Sequence, residues 1–308
     1  MKHAALIYNP KAGPGRRPGP ERLAERACRA LEAAGFAVSG VHATTTAGEA
    51  RELSGKIGPG VDRLVVIGGD GTLREAAEGL GAGSARTTIG LVPRGNGNVI
   101  ARELGLPFQD GLRAADVAAG KNTLAIDAGR ANGRLFLAMV GVGFDALVVH
   151  WVDSVRRSAL GAWSYRFSPD LLFVPCGVLA LLRFRPQRFD LEVDRADFIK
   201  NAGSVIVSNT RTYAKGWSVN PGARIADGKL DACAWKHAGF PFALRPLLSA
   251  RRGRQVDPAF GACTQGERLV IRSARPFHFQ LDGDPMGRAD RLDIDILPRA
   301  FRIAVSDS

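Results

Sequence analysis

Cysteine and histidine are scarce in this chain, which limits its metal and disulfide chemistry. The 308 residues include four cysteines and five histidines. No two cysteines have the CxxC spacing, and no histidine stands at metal-ligand spacing from any of them, which excludes a cysteine zinc site or a CxxC redox motif. We expect free, mostly buried thiols in a reducing compartment at Cys28, Cys176, Cys233 and Cys263.

Long hydrophobic runs are also lacking. The N-terminal run Ala4–Tyr8 ends at Asn9-Pro10 and is too short for a signal peptide. The run Leu171–Leu182 has 12 residues, whereas a helix that spans a bilayer needs about 20. The arginine-rich stretch 154–188 around it fits either a segment that lies on an anionic membrane or a helical excursion packed on the rest of the fold. We prefer the packed excursion.

Acidic residues are outnumbered, with 42 Lys and Arg against 30 Asp and Glu and a net charge of +12. Such an excess indicates an anionic partner, such as a phosphorylated ligand, an anionic membrane surface or nucleic acid. The arginines are spread along the whole chain, however, and an arginine-rich proteome explains them equally well. The length predicts two domains with ample core for each.

The stretch Val65–Glu75 is the most informative in the chain. A β-branched run stops at a glycine turn, and an apolar i, i+3, i+4, i+7 pattern typical of a helix follows at once. Gly68, Gly69 and Gly71 let the backbone approach an anion at the start of that helix. A carboxylate beside phosphates needs a cation between them, so Asp70 indicates phosphate together with Mg²⁺. The alternative is that Asp70 only caps the helix.

The first third of the chain alternates strands and helices, which predicts a Rossmann-like, three-layer α/β domain with a parallel sheet. Loops 9–13, 68–72 and 93–98 then fall at the carboxyl ends of strands, where ligands bind in such sheets. Thr44–Thr46 are expected to cap a helix over 47–57. The predicted strands are His3–Tyr8, Phe36–Ala43, Arg63–Ile67, Thr88–Val92 and Asn122–Asp127, and the other helices are 21–34, 73–80, Val99–Leu104 and Asp110–Ala119.

After about residue 130 the pattern changes to strands without regular intervening helices, which predicts an antiparallel β-sandwich. We therefore expect an α/β domain over 1–128 and a sandwich domain over 129–289. The predicted strands of this part are Arg134–Val140, Phe189–Val193, Ser204–Ser208, Leu230–Trp235, Arg268–Arg272, Phe277–Leu281, Leu292–Leu297 and Phe301–Val305.

Several motifs, in order, resemble those of the diacylglycerol kinase catalytic family, which includes bacterial lipid kinases and is related to sphingosine kinases and to the NAD kinase fold. Gly68–Thr72 alone is also typical of NAD kinases and phosphofructokinases, so the order of the set is the informative part. The set consists of Asn9-Pro10-x-x-Gly13, Gly68–Thr72, Gly95-x-Gly97-Asn98, Gly143–Ala146, Ala226–Asp231 and Gln280–Pro285.

The resemblance implies an ATP-dependent kinase that phosphorylates a lipid hydroxyl in a cleft between a nucleotide-binding α/β domain and a β-sandwich lipid domain. The last strand of such folds often returns to the first domain, which leaves the assignment of 290–308 open. By position, the following residues would line the ATP site: Asn9, Pro10, Lys11, Ala12, Gly13, Thr44, Gly68, Gly69, Asp70, Gly71, Thr72, Glu75, Gly95, Asn96, Gly97 and Asn98.

The resemblance also assigns a metal site and a proton acceptor. Asp227, with backbone oxygens of Arg224 and Lys229, matches a structural Mg²⁺ site. Asp284 falls where the family has a glutamate proton acceptor, with Asp282 beside it, so the expected catalytic carboxylates are Asp284, Asp282 and Asp70. A carboxylate within hydrogen-bond reach can take the proton of the acceptor hydroxyl.

Three departures from the family pattern leave alternatives open. Asn96 replaces the usual Thr or Ser, Val99 replaces an Asp typical of diacylglycerol kinases, and Asp284 is one methylene shorter than Glu. The alternatives are an NAD kinase-type enzyme with a soluble substrate and a catalytically silent lipid- or nucleotide-binding homologue. The resemblance further implies a cytoplasmic protein peripheral to the inner face of the membrane, with a lipid substrate, no nucleic-acid partner, and homodimerisation left open.

Overall fold

The chain divides into two compact units. The computed structural model describes residues 1–13, 18–83, 86–156, 187–213, 216–236 and 256–306. The first unit is Met1–Ala128 with Leu297–Ser308, and the second is Gly129–Ile296. Most of the arginine-rich stretch 154–188 lies outside the described residues. Within the described part of the chain, no helix combines the length and apolar character needed to cross a bilayer.

The first unit alternates strands and helices as predicted. Asp110 begins its last helix as an N-cap, because its side chain accepts hydrogen bonds from the N–H groups of Leu112 and Arg113. The elements are β1 (Lys2–Tyr8), α1 (Pro20–Ala33), β2 (Phe36–Ala43), α2 (Glu49–Ile57), a 3₁₀ turn (Gly58–Gly60), β3 (Arg63–Gly68), α3 (Asp70–Leu80), β4 (Thr88–Pro93), α4 (Val99–Glu103), α5 (Gly111–Ala119) and the start of β5 (Thr123–Ala131).

The parallel sheet of this unit has the order β2, β1, β3, β4. Every residue of β3 is buried, as expected for a strand covered on both faces. Helices α1 and α5 pack on one face around Leu6, Leu23, Val65 and Ala115, while α2 packs on α3. The predicted three-layer α/β architecture is confirmed.

The chain ends in a long strand, β14 (Asp284–Ala304), which belongs to both units. Its last residues add a parallel strand beside β4, with Arg302 opposite Thr88 and Ile303 opposite Ile89. The last part of the sequence therefore completes the sheet with which the chain begins.

The second unit is built from antiparallel strands in two layers. Strands β12, β11, β10 and β7 form one layer with Phe279–Leu281 of β13, while Leu269–Arg272 of the same strand pair with β8. The core between the layers includes Phe136, Phe189 and Phe277. The elements are β6 (Arg134–Phe136), β7 (Met139–Val142), α6 (Phe144–Arg156), β8 (Phe189–Val193), β9 (Ala196–Ala202), β10 (Ser204–Ser208), β11 (Leu230–Trp235), β12 (Gly261–Gly266), β13 (Arg268–Leu281) and β14.

Several predicted boundaries in the second unit are wrong. The strand predicted over Arg134–Val140 is interrupted, because the N–H groups of residues 137–139 bind the carboxylate of Asp282 instead of a neighbouring strand. The last four predicted strands are two continuous ones, since β13 bridges residues 273–276 with a register shift. Strands β9 and β12 and helix α6 were not predicted.

Two local predictions also need correction. Cys233 and Cys263 are not free thiols, because β11 and β12 place them directly opposite each other and they form a disulfide. The residue that caps α2 is Gly48 rather than a threonine of 44–46. Instead, Thr45 donates hydrogen bonds to the first residue of the helix: its N–H and its hydroxyl bind the Glu49 carboxylate at 2.6 and 2.9 Å.

The packing of α5 on the sheet yields a testable prediction. A Cβ atom at Gly90 would lie 2.5 Å from the carbonyl oxygen of Ala118, which belongs to the backbone and cannot move alone. We expect Gly90→Ala to lower the free energy of unfolding by about 1–3 kcal/mol, measured by denaturant titration. The matched control is Gly60→Ala, where an added Cβ meets nothing within 4 Å. Equal stability of the two variants would contradict this packing.

Candidate functional site

The two glycine turns of the first unit touch through their backbones. A Cβ at Gly95 would lie 2.7 Å from the Cα of Gly69, and a Cβ at Gly69 would lie 3.0 Å from the Cα of Gly95. The Arg94 N–H donates to the carbonyl of Gly68 at 2.7 Å. The turns therefore form one continuous surface of backbone where β3 and β4 end.

Asp70 lies at the start of α3 but faces the second turn. Its Oδ1 accepts a 3.4 Å hydrogen bond from the N–H of Ile100, and a Cβ at Gly97 would lie 3.0 Å from its Oδ2. The N-cap residue of α3 is Gly69, so the helix has no side-chain cap. Asp70 thus places a carboxylate between the two turns.

The rest of the second turn is shaped by Asn98. This residue is 3% exposed, has a left-handed backbone with φ of 47°, and accepts the N–H of Gly95 on its side-chain oxygen at 2.7 Å. Val99, which follows, is 9% exposed. The apolar side chain at Val99 therefore contributes to the core, while Asn96 is exposed.

Arg94 ties the first loop to the second turn, a role that the sequence analysis missed. It is 5% exposed, and its guanidinium donates to the carbonyls of Ala12, Gly13 and Pro18 at 3.4, 3.1 and 2.6 Å. The sequence around an arginine beside a glycine-rich turn does not indicate which groups accept its hydrogen bonds. Three backbone carbonyls satisfy most of its donors, so Arg94 fixes the loop that begins at Asn9.

The remaining predicted residues of the first unit surround the same strand ends. Asn9 donates its N–H to Ile67 at 3.0 Å and accepts the N–H of Lys11 on its side chain at 2.9 Å. Thr44 is buried and donates its N–H to the carbonyl of Tyr8 at 2.9 Å. The Glu75 carboxylate accepts the N–H of Gly48 at 2.9 Å, so Glu75 supports the loop that follows Thr44.

In the second unit, Asp282 is a backbone anchor. Its carboxylate accepts three N–H groups, from Leu137 at 2.8 Å, Ala138 at 2.8 Å and Met139 at 2.9 Å. Three such bonds satisfy most of the acceptor capacity of a carboxylate. Asp282 is therefore poorly placed to accept a substrate proton, while Asp284 lies half-buried two residues further on.

Next to this turn lies a buried cluster of hydrogen-bonded polar side chains. The sequence analysis included Gln280 and Asp145 in motifs but gave them no role. Gln280 is 1% exposed, accepts the Gly283 N–H on its amide oxygen, and donates from its amide nitrogen to Asp145 Oδ2, both at 2.8 Å. The hydroxyl of Tyr213 donates to the other oxygen of Asp145. Burial raises the pKa of the Asp145 carboxyl, and burial together with Asp145 raises the pKa of Tyr213.

The predicted metal turn is exposed, but a buried carboxylate stands beside it. Asp227, Arg224 and Lys229 are all exposed, and Asp227 accepts the N–H of Lys229 at 3.1 Å. Asp231 is 8% exposed and accepts Gln265 Nε2 on Oδ1 at 3.0 Å. Among the described residues its Oδ2 has no hydrogen-bond partner. Burial, then the charge of Asp227, raises the pKa of Asp231.

These residues supply only some of the ligands that a bound cation needs. A buried carboxylate oxygen without a donor costs free energy that a cation would offset, and carboxylate with backbone carbonyl is the ligand chemistry that Mg²⁺ takes. Over the described ranges, no cluster of three or more His, Cys, Asp or Glu side chains could hold a metal. A cation here would depend on backbone oxygens and water for its other ligands.

Known protein families match both parts of the chain. Residues 3–131 match the family described as "Diacylglycerol kinase catalytic domain", and residues 138–305 match the "YegS C-terminal NAD kinase beta sandwich-like domain". The sandwich predicted for the second part is therefore confirmed. Two crystal structures from Bacillus anthracis, one of a diacylglycerol kinase, share the fold with TM-scores of 0.78 and 0.71 at 22% and 20% identity, each covering 99% of this chain and 97% of the other.

Curated relatives of similar length also match. A diacylglycerol kinase of Bacillus subtilis is 30% identical over 285 residues, which are 92% of this chain and 90% of the relative. A Pseudomonas aeruginosa protein named "Probable lipid kinase YegS-like" is 30% identical over 266 residues, 85% of this chain and 83% of the relative. The chain belongs to the diacylglycerol kinase family of lipid kinases.

Proposed function

We propose that this protein transfers the γ-phosphate of ATP to a hydroxyl group of diacylglycerol or a related lipid. The observation that carries the proposal is the backbone contact between Gly69 and Gly95, which merges two phosphate-binding turns into one surface. Phosphoryl transfer requires mainly that phosphates are held, that charge is neutralised and that the acceptor is oriented. Family membership supports a lipid acceptor.

In this proposal the first unit holds ATP. The glycine turns supply backbone N–H groups at the start of α3, where a helix attracts anions. Loop 9–13, fixed by Arg94, lies beside them, with Thr44 next to the end of β1. Pro10, Lys11 and Asn96 are the exposed members of the set, so the side chains of Lys11 and Asn96 are the exposed polar groups that would meet the outer part of a nucleotide.

Asp70 is the first-unit residue proposed to act on Mg²⁺. When bound with ATP, Mg²⁺ neutralises phosphate charge. The carboxylate of Asp70 stands where phosphate bound at the two turns would repel it, and a shared cation removes that repulsion. Its contact with Ile100 gives the same side chain a second task, which is to hold the start of α4 against α3.

The two aspartates of the second-unit turn have different proposed tasks. Asp284 is proposed to accept the proton of the lipid hydroxyl, because Asp282 is committed to three backbone N–H groups. Gly283 has a φ of 86°, a conformation that favours glycine. Asp282 is thus a positioning residue for the turn that carries Asp284.

The location of the protein belongs to the proposal as well. A net charge of +12 favours an anionic membrane surface, where a lipid acceptor is found, and we propose peripheral binding at the cytoplasmic face. Neither the NAD kinase-type activity nor the silent homologue is favoured, since the first part of the chain matches the diacylglycerol kinase catalytic domain and the relatives that match over most of the chain are named as lipid kinases.

The first prediction from the proposed function concerns the lipid that accepts the phosphate. Labelled ATP with Mg²⁺ is offered to diacylglycerol, monoacylglycerol, ceramide, a sphingoid base and phosphatidylglycerol in anionic micelles, with NAD as a soluble control. We expect label in a lipid. Asp284→Asn should lower kcat by roughly 10²- to 10⁴-fold, because it removes the base. Asp70→Asn should abolish nearly all transfer while its amide oxygen still accepts the Ile100 N–H.

The matched control for both variants is Asp290→Asn, since Asp290 is an exposed carboxylate on β14 and should leave kcat unchanged. Label in NAD alone would replace the lipid kinase with the soluble-substrate enzyme. A fully active Asp70→Asn protein would remove the metal role assigned to that residue. No label from protein that still binds ATP would favour the silent homologue.

The second prediction concerns the contact between the turns. An alanine at 95 would bring its Cβ to 2.7 Å from the Cα of Gly69 and 2.9 Å from Asn98 Oδ1, which separates the turns. We expect Gly95→Ala to raise the Kd for ATP by roughly 10- to 100-fold, from a packing cost of about 1–3 kcal/mol. Calorimetric titration measures this, with Gly60→Ala as the control. An unchanged Kd would mean that ATP does not bind at this contact.

The third prediction concerns the buried carboxylate of Asp231. Because its pKa is raised in the folded protein, the stability it contributes at low pH is lost as the pH rises through that raised pKa. At neutral pH the ionised group destabilises the fold unless a cation is bound. We expect Mg²⁺ to raise the Tm of the wild type by roughly 2–4 °C.

The isosteric variant Asp231→Asn should raise the Tm without Mg²⁺ and should respond little to added Mg²⁺. Asp290→Asn should behave as the wild type does in both conditions. If Mg²⁺ stabilises Asp231→Asn as much as the wild type, no cation binds beside Asp231.

A further inference from the structure

The turn that carries Asp284 is held from two sides. On one side the Asp282 carboxylate binds the backbone of residues 137–139, and the Asp282 N–H donates to the carbonyl of Met139 at 3.0 Å. On the other side the Gly283 N–H donates to the amide oxygen of Gln280. The Asp282 contacts fix the backbone before Gly283. The Gln280 contact, together with the pairing of Leu281 with Asp284, fixes how the chain leaves the turn toward Asp284.

The orientation of the Gln280 amide depends on Asp145. With its nitrogen toward Asp145 Oδ2 and its oxygen toward the Gly283 N–H, the amide makes two favourable bonds of 2.8 Å. A flipped amide would place oxygen against carboxylate and NH₂ against N–H, so both contacts would be repulsive. The acceptor at Asp145 thus selects the orientation that holds Gly283.

The side chains of Asp145 and Gln280 are held in place by the strands and side chains around them. Gln280 lies on β13 opposite Gly141 of β7 and Pro285 of β14. A Cβ at Gly141 would overlap Asp145 Oδ2 and lie 2.8 Å from Gln280 Nε2, so the hydrogen bond between them passes directly over a glycine. The Tyr213 hydroxyl occupies the second oxygen of Asp145, and both oxygens therefore act as acceptors.

We propose that Asp145 and Gln280 are positioning residues that set the Asp282–Asp284 turn for phosphoryl transfer. The inference rests on the proposed function, in which Asp284 accepts the proton of the lipid hydroxyl. Asp145 acts through Gln280, and Gln280 acts through the Gly283 N–H. A shift of about 1 Å in a positioned catalytic group lowers the rate by about 100-fold, which sets the size of effect to expect.

The test exchanges the hydrogen-bond donor and acceptor between positions 145 and 280. Gln280→Glu faces one carboxylate with another and should lower kcat for the lipid by roughly 10- to 100-fold. Asp145→Asn alone should cost less, because its amide oxygen can still accept from Gln280 Nε2 while its NH₂ faces the hydroxyl oxygen of Tyr213. In the double variant the new amide at position 145 can donate to the new carboxylate at position 280, whose other oxygen accepts the Gly283 N–H. We expect kcat to return to within about 3-fold of the wild type, far above the product of the two single losses.

Two further readouts separate positioning from general damage. The KM for ATP should stay unchanged in every variant, because the proposed ATP-binding residues lie in the first unit. Tyr213→Phe, which removes one bond to Asp145 and leaves the Gln280 contacts in place, should cost less than Gln280→Glu. A Gln280→Glu variant that keeps the wild-type kcat, or a double variant at or below the product of the single losses, would overturn the proposal.

Amide hydrogen exchange supplies a measurement that is independent of activity. Exchange over residues 281–285 should quicken in Gln280→Glu and slow again in the double variant. If the wild type phosphorylates no lipid but exchange follows this pattern, the kinase proposal fails and the hydrogen-bond relay stands. Exchange that is equal in all four proteins would refute the relay itself.

Discussion

The close approach of Gly69 and Gly95 is the contact on which the first unit depends. Two strand ends, two helix starts and the loop fixed by Arg94 converge there, and a single methyl group on either glycine would displace backbone rather than a side chain. Backbone contact of this kind leaves no room for side chains at the two glycines. The glycines thus explain why the proposed phosphate-binding surface of this unit consists mostly of main chain, with Asp70 as the charged group beside it.

The sequence predicted the three-layer domain and the glycine turns because both depend on local signals, namely β-branched runs, helical periodicity and glycine where backbone must approach. It failed where a distant partner decides the conformation. The break in the strand over Arg134–Val140 depends on Asp282, far along the chain, and the pairing of Cys233 with Cys263 depends on the register of β11 and β12. Arg94, Asp145 and Gln280 carry ordinary side chains whose partners only the fold supplies. The proposed tasks of Asp70, Asp227 and Asp284 remain predictions.

The acidic groups of the second unit show how hydrogen bonds, rather than residue type, separate their tasks. Asp282 accepts three main-chain donors, Asp145 accepts two side-chain donors, and Asp231 is buried with one side-chain donor. The three aspartates therefore differ in what they can still bind. The sequence analysis placed Asp282 beside Asp284 as a second catalytic carboxylate, whereas in the structure the carboxylate of Asp282 binds the backbone.

Strand β14 has a consequence for the order in which the protein is made. Ribosomes release residues 1–128 of the first unit early, yet the strand that pairs with β4 consists of residues translated after the second unit. Until then Thr88 and Ile89 present an open sheet edge, a surface prone to mispairing. The nascent chain must keep that edge unpaired while the whole second unit emerges. The sheet of the first unit is therefore completed only after the second unit has been translated, and changes in residues 297–304 would act on the unit built from the first 128 residues.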